Sequence, residues 1–231
     1  MGSFQQWIGS LNIDKMMDLL ITVLACLTCM TLHEISHGLA ANRLGDPTAK
    51  NAGRLSLNPM RHIDPLGLVC MIVARFGWAK AVPINPRYFK HFRRDTAITS
   101  LAGPLANVLI AAVSLTLYFA VVWFFWYLNE SAWLEYLLRY FYYTANLSVG
   151  FAVFNLLPIP PLDGSKLLFA FLPDRAYIRL LRYERYGFLL LSALLFLGVL
   201  DGPLIFLREG LLKLLWEPCQ WPIQLLNSLY F

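Results

Sequence analysis

Residues 30–40 read MTLHEISHGLA, which sets two histidines and a glutamate inside an otherwise apolar run. Whether this stretch is a soluble core helix or a membrane span decides the fold. Between Asp18 and Arg43, Glu34 is the one acidic or basic residue apart from those histidines. A run of that length satisfies the roughly 20 apolar residues a spanning helix needs. Titratable groups at membrane depth cost several kcal/mol on most scales, so their presence asks for a functional reason.

The bulk composition agrees with a span. Of 231 residues, 58% are hydrophobic and only 14% charged, with mean hydropathy +0.55. A soluble domain carries roughly 25% charged residues. The expected class is an all-α polytopic membrane protein, a bundle of about four transmembrane helices in a single domain over 1–231. No cleavable signal sequence is expected, because the first apolar run is too long and carries the titratable residues. The net charge of +5 does not point to nucleic acid, since the basic residues collect in particular loops and read as topology.

Four spans are expected, at about 18–43, 97–129, 139–162 and 186–207, the last interrupted by Asp201-Gly202-Pro203. The tail, 203–231, has Leu at helical spacing with Trp216 and Trp221, and is expected as an amphipathic interfacial helix. Ten Lys and Arg fall between Arg43 and Arg94, and Arg175, Arg179, Arg182 and Arg185 follow the third span. The positive-inside rule puts both loops in the cytoplasm and the N-terminus outside, with His33 toward the cytoplasmic end. Within the loop 44–96, the Val- and Ile-rich stretch 68–85 with Gly77 reads as a small membrane-associated β-hairpin. Its edge, including Val82 and Ile84, is a place to hold an unwound peptide by strand addition.

The spacing of His33 and His37 carries the chemistry. Four residues apart on a helix they share one face, one above the other, and two imidazoles so placed can ligate one Zn²⁺. Glu34 lies beside them, placed to take a proton from metal-bound water and return it to a leaving amine, the H-E-x-x-H logic of zinc peptidases. Cys26 and Cys29 form a CxxC without the soluble βαβ setting of a redox site and are expected as small apolar residues of the span, although Cys29 shares the histidine face at i, i+4, i+8 and so has a place near whatever the histidines bind.

A catalytic zinc site uses three protein ligands and keeps a fourth position open. His62 and His91 lie in the basic loop; Asp163 closes span three. The stretch FNLLPIPPLDGSK, 154–166, cannot be continuous helix because Pro158, Pro160 and Pro161 lack the donor. An extended, polar-lined turn at membrane depth is tolerated only where it lines a cavity or is buried in protein, and it delivers Asp163 to the side where His33 lies. The alternative is that Asp163 caps the helix that follows. In TSLAGPLANVLIA, Gly103-Pro104 is expected to break helical regularity, and small residues allow close packing. Asn107 is open between a donor to an oxyanion or substrate backbone and a structural hydrogen bond between helices.

HEISH (33–37), GPLAN (103–107), NLLPIPPLDG (155–164) and the loop NPMRHIDPLG (58–67) together resemble the site-2 proteases, intramembrane zinc metalloproteases. The resemblance covers about residues 20 to 170. It implies one zinc ion held by His33, His37 and Asp163, with Glu34 as general base. Asn107 and Asn155 would be substrate or transition-state contacts. It implies a partner, the transmembrane segment of a substrate protein, and a bacterial inner membrane as the setting. The chain has no room for the PDZ or CBS domains of many members, so a minimal form is expected. A zinc or proton transporter using the same His/Asp cluster is the competing class.

Overall fold

The computed structural model describes residues 13–64, 67, 80–128, 132–173 and 186–230. Among them the chain is almost wholly helical, without a β-strand. Most of the expected hairpin, 68–79, and the arginines at 175, 179, 182 and 185 lie outside the described residues; the described remainder, 80–85, forms no strand.

α1 (Ile13–Arg43) has no proline and no glycine before Gly38, and Asp14 and Arg43 complement its dipole at the two ends. A short helix α2 (Thr48–Asn51) follows. α3 (Phe92–Leu128) then runs uninterrupted through Pro104. The expected break at Gly103-Pro104 does not occur. A proline deletes one ladder hydrogen bond, and neighbouring helices can hold the rest in line when the site is packed; Pro104 is fully buried. α4 (Ala132–Asn155) is followed by the proline-rich turn and α5 (Asp163–Ala170). α6 (Tyr186–Phe196) is followed, across a bend of 86°, by the helical stretch Asp201–Ser228, which comprises α7 (Asp201–Trp216) and most of α8 (Trp221–Tyr230).

Among the described residues two helices, α1 and α3, are long and apolar enough to cross a membrane, and a third crossing follows if α6 and the bent segment after it form one span. Length and composition among the described residues thus support two or three of the four expected spans. The third expected span is a helix, but Arg139, its tyrosines and two asparagines dilute its apolar character, and it stops at Asn155 rather than 162. The fourth is interrupted: α6 stops at Phe196 and Asp201-Gly202-Pro203 opens the next helix across the bend, Pro203 taking a place in its first turn as prolines commonly do.

α3 and α4 form the centre, and α1 packs on both. Lipid tails are as apolar as leucine, so helices in a bilayer are held by close packing and interhelical hydrogen bonds more than by the hydrophobic effect. Such bonds run along the α1–α4 seam. Arg139 pairs with Asp18 at 2.8 Å, the hydroxyls of Thr28 and Tyr140 meet at 3.0 Å, and Cys29 Sγ meets Ser148 Oγ at 2.9 Å. Cys29 is thus spent on α4 rather than on the histidine face. The tail packs along the bundle: Leu204, Leu211, Leu212 and Leu215 cover Ala111, Val149 and Val153, and Cys219 is buried with Leu115, Phe119 and Ala145.

Candidate metal centre

One helix face and one turn build the site. His33 and His37 stand on α1, both buried. Asp163 is the first residue of α5, which packs on α3. The turn before it is tight because Gly164 lies on top of the chain that leaves α4: a Cβ there would stand 2.1 Å from the Leu156 carbonyl oxygen. Prolines fix the backbone between, so the carboxylate is delivered to a set place. His33 Nε2 and His37 Nε2 lie 3.0 Å apart, and Asp163 Oδ2 is 3.2 Å from the first and 3.0 Å from the second.

These distances suit a cation. Ligands around a tetrahedral ion with bonds of about 2 Å stand about 3.3 Å apart. His37 Nδ1 faces the Thr99 carbonyl at 2.7 Å. A carbonyl only accepts, so Nδ1 carries the ring proton and Nε2 presents a lone pair toward Asp163. A lone pair and a carboxylate oxygen crowded together are unfavourable unless something positive lies among them, and the residues present therefore fit a metal ion.

α3 closes the site from one side. A Cβ on Gly103 would stand 2.4 Å from His37 Nε2 and 2.6 Å from His33 Cε1, so only a glycine lets the helix lie against both rings. Gly103→Ala is expected to push the imidazoles off position, lowering bound metal per purified chain and costing about 1–3 kcal/mol as overpacked cores do; metal content and the melting midpoint check it, and an unchanged metal content refutes it.

Glu34, next to His33, does not join the cluster. Its Oε2 accepts from the backbone N–H of Val82 at 2.8 Å. Val82 is buried, so the residue expected to meet substrate has its own donor engaged by the glutamate. The segment carrying it, 80–85, is tied down at both ends. Lys80 N–H donates to the His62 carbonyl at 2.8 Å, and Asn85 N–H donates to Oδ2 of the fully buried Asp46 at 2.6 Å. Ile84 lies half-buried on the same segment. Of the other histidines, His62 is buried with its Nε2 on the Ser56 carbonyl at 2.9 Å, and neither it nor His91 joins the cluster. Asn107 is fully buried, its amide nitrogen 3.1 Å from His33 Nδ1. Asn155 donates to the Phe151 carbonyl of its own helix at 3.0 Å.

Thr99, Gly103 and Asp46 escape sequence reasoning as parts of this site. Thr99 acts through its main chain, which any residue supplies, and Asp46 acts through contacts 39 residues away. Gly103 carried a signal, its place among small residues, which was readable as helix packing only.

Comparison with known proteins agrees with this geometry. The profile of peptidase family M50 matches residues 126–198, the part that carries Asp163. YwhC of Bacillus subtilis, named as a candidate zinc metalloprotease, is 36% identical over 174 residues, covering 74% of this chain and 78% of its own. Rip2 of Mycolicibacterium smegmatis, named likewise, is 31% identical over 188 residues, covering 79% and 69%. No solved structure matches the chain. With a third of its residues shared along most of YwhC, and with the motifs of HEISH and PPLDG folded onto one point, the chain belongs to peptidase family M50, the site-2 protease family.

Proposed function

We propose that the chain is an intramembrane zinc metalloendopeptidase, a single domain that hydrolyses peptide bonds within or near transmembrane segments of other membrane proteins. The observation that carries this is the meeting of His33, His37 and Asp163 within 3.2 Å, with Glu34 one position along the same helix. The names of the relatives support zinc as the ion, one per chain.

His33 and His37 would hold the ion through Nε2 and Asp163 through Oδ2. Zinc bound there supplies Lewis acidity toward a carbonyl and lowers the pKa of water to about 7. Glu34 takes the proton of the attacking water on its carboxylate and gives it to the amine that leaves. The Val82 N–H orients that carboxylate before substrate arrives. Segment 80–85, with Val82 and Ile84, offers backbone to an unwound substrate, which a helix must become before water reaches its peptide bonds. Asn155, its amide N–H spent on Phe151, keeps an oxygen for a substrate N–H. The basic residues between Arg43 and Arg94 support a cytoplasmic placement of the site in a bacterial inner membrane, N-terminus outside.

Purified chain reconstituted with a substrate carrying one transmembrane segment tests the reading. Cleavage is expected to stop when a chelator removes the metal and to return with about one zinc per chain. A zinc-loaded chain that cuts no membrane substrate but carries zinc into vesicles would establish the transporter instead.

A further inference from the structure

We infer that Asn107 is the positioning residue that fixes the tautomer of His33, an assignment that rests on the zinc-site reading above and deepens it. Asn107 is fully buried on α3, one turn beyond Gly103, and its side-chain amide lies 3.1 Å from His33 Nδ1. Its Oδ1 has no hydrogen-bond partner. In a dry interior an acceptor without a donor has lost its water and gained nothing in return.

The two ends of an amide are interchangeable in shape, and which end faces a neighbour is decided by the hydrogen bonds it makes. With Nδ2 toward the ring, His33 Nδ1 must be bare. The ring proton then sits on Nε2 and points into the space shared with His37 Nε2 and Asp163 Oδ2, which is incompatible with ligating a metal there. With Oδ1 toward the ring, the orphan acceptor takes the Nδ1–H. Nε2 is then left with its lone pair on the metal side. The second orientation repairs the oxygen and prepares the ligand in one move.

α3 thereby sets both rings. In that orientation Asn107 does for His33, through its amide oxygen, what Thr99 does for His37 through a carbonyl. Of these two partners only Asn107 acts through a side chain and can be removed by substitution. Partners of this kind orient a ligating imidazole, and their loss commonly weakens metal binding by about 10- to 100-fold. The amide is a positioning residue for the ligand, and its full burial leaves it no surface for a substrate.

The full chain, purified in detergent as parent, Asn107→Leu and Asn107→Asp, tests this through zinc affinity measured against a chromophoric chelator and through the visible spectrum of the cobalt-loaded protein. Asn107→Leu is expected to bind zinc about 10- to 100-fold more weakly per folded chain and to alter the cobalt spectrum. Asn107→Asp keeps an acceptor at the same place and is expected to restore both. A bond that merely ties two helices would lower stability in Asn107→Leu without changing either readout. Parent-like affinity in Asn107→Leu overturns the assignment, as does a folded Asn107→Asp with weak zinc and a distorted spectrum. If Asn107→Leu does not fold, Asn107→Asp against the parent decides alone. A parent that itself holds no metal overturns the protease reading, and this assignment with it; a parent that binds zinc and an Asn107→Leu that binds it equally leave the protease reading standing.

Discussion

Glu34→Gln is expected to keep its zinc and to cleave a membrane-embedded substrate about 10²- to 10⁴-fold more slowly than the parent, the usual contribution of a placed general base. The substitution is a narrow one. Glutamine has the same shape, and its oxygen can still accept from the Val82 N–H, so segment 80–85 keeps its hold on α1. None of the three converging ligand atoms belongs to residue 34. What the amide cannot do is take a proton. Cleavage rate and zinc per chain, measured on one preparation, check the claim; undiminished cleavage would sink it, because another group would then be moving the proton.

Asp163→Ala is expected to act one step earlier. It removes one of three ligands and leaves two imidazoles on one helix face, which hold zinc poorly on their own. Bound zinc should fall to a small fraction of the parent's value, and cleavage should fall to background. The fold should survive, because the turn is held by main-chain bonds that do not involve the carboxylate, such as Leu162 N–H to the Ile159 carbonyl at 3.0 Å and Ser165 N–H to the Leu162 carbonyl at 3.1 Å. An acidic residue also leaves the first turn of α5, costing about 0.3–1 kcal/mol. Equal zinc in parent and variant would show that residue 163 is a helix cap and no ligand. The two substitutions are informative together: one separates chemistry from binding, the other removes binding itself.

Much of this was legible before any coordinates. α1 was readable because composition, length and the i, i+4 histidines all act within one helix, where spacing translates directly into position. The turn ahead of Asp163 was readable because proline chemistry is local. Three features were not. The unbroken course of α3 through Pro104 depends on neighbours that hold a weakened helix in line, and sequence carries no record of those neighbours. The angle of 86° between α6 and the helical stretch from Asp201 depends on how the tail packs on α3 and α4, whereas Asp-Gly-Pro by itself says only that the helix is interrupted there. The contacts that tune the site are the Thr99 carbonyl, the Asp46 tie to Asn85 and the Val82 amide on Glu34. They use main-chain atoms at long separation, where residue identity says little.

α1 and α7 both pack on the α3–α4 pair. Each leaves bare apolar side chains on its far side: Leu19, Leu20 and Leu24 on the motif helix, Ile205, Phe206 and Leu214 on α7. Water would drive such surfaces together, so the protein is expected to stay dispersed only in detergent or lipid and to precipitate when either is withdrawn.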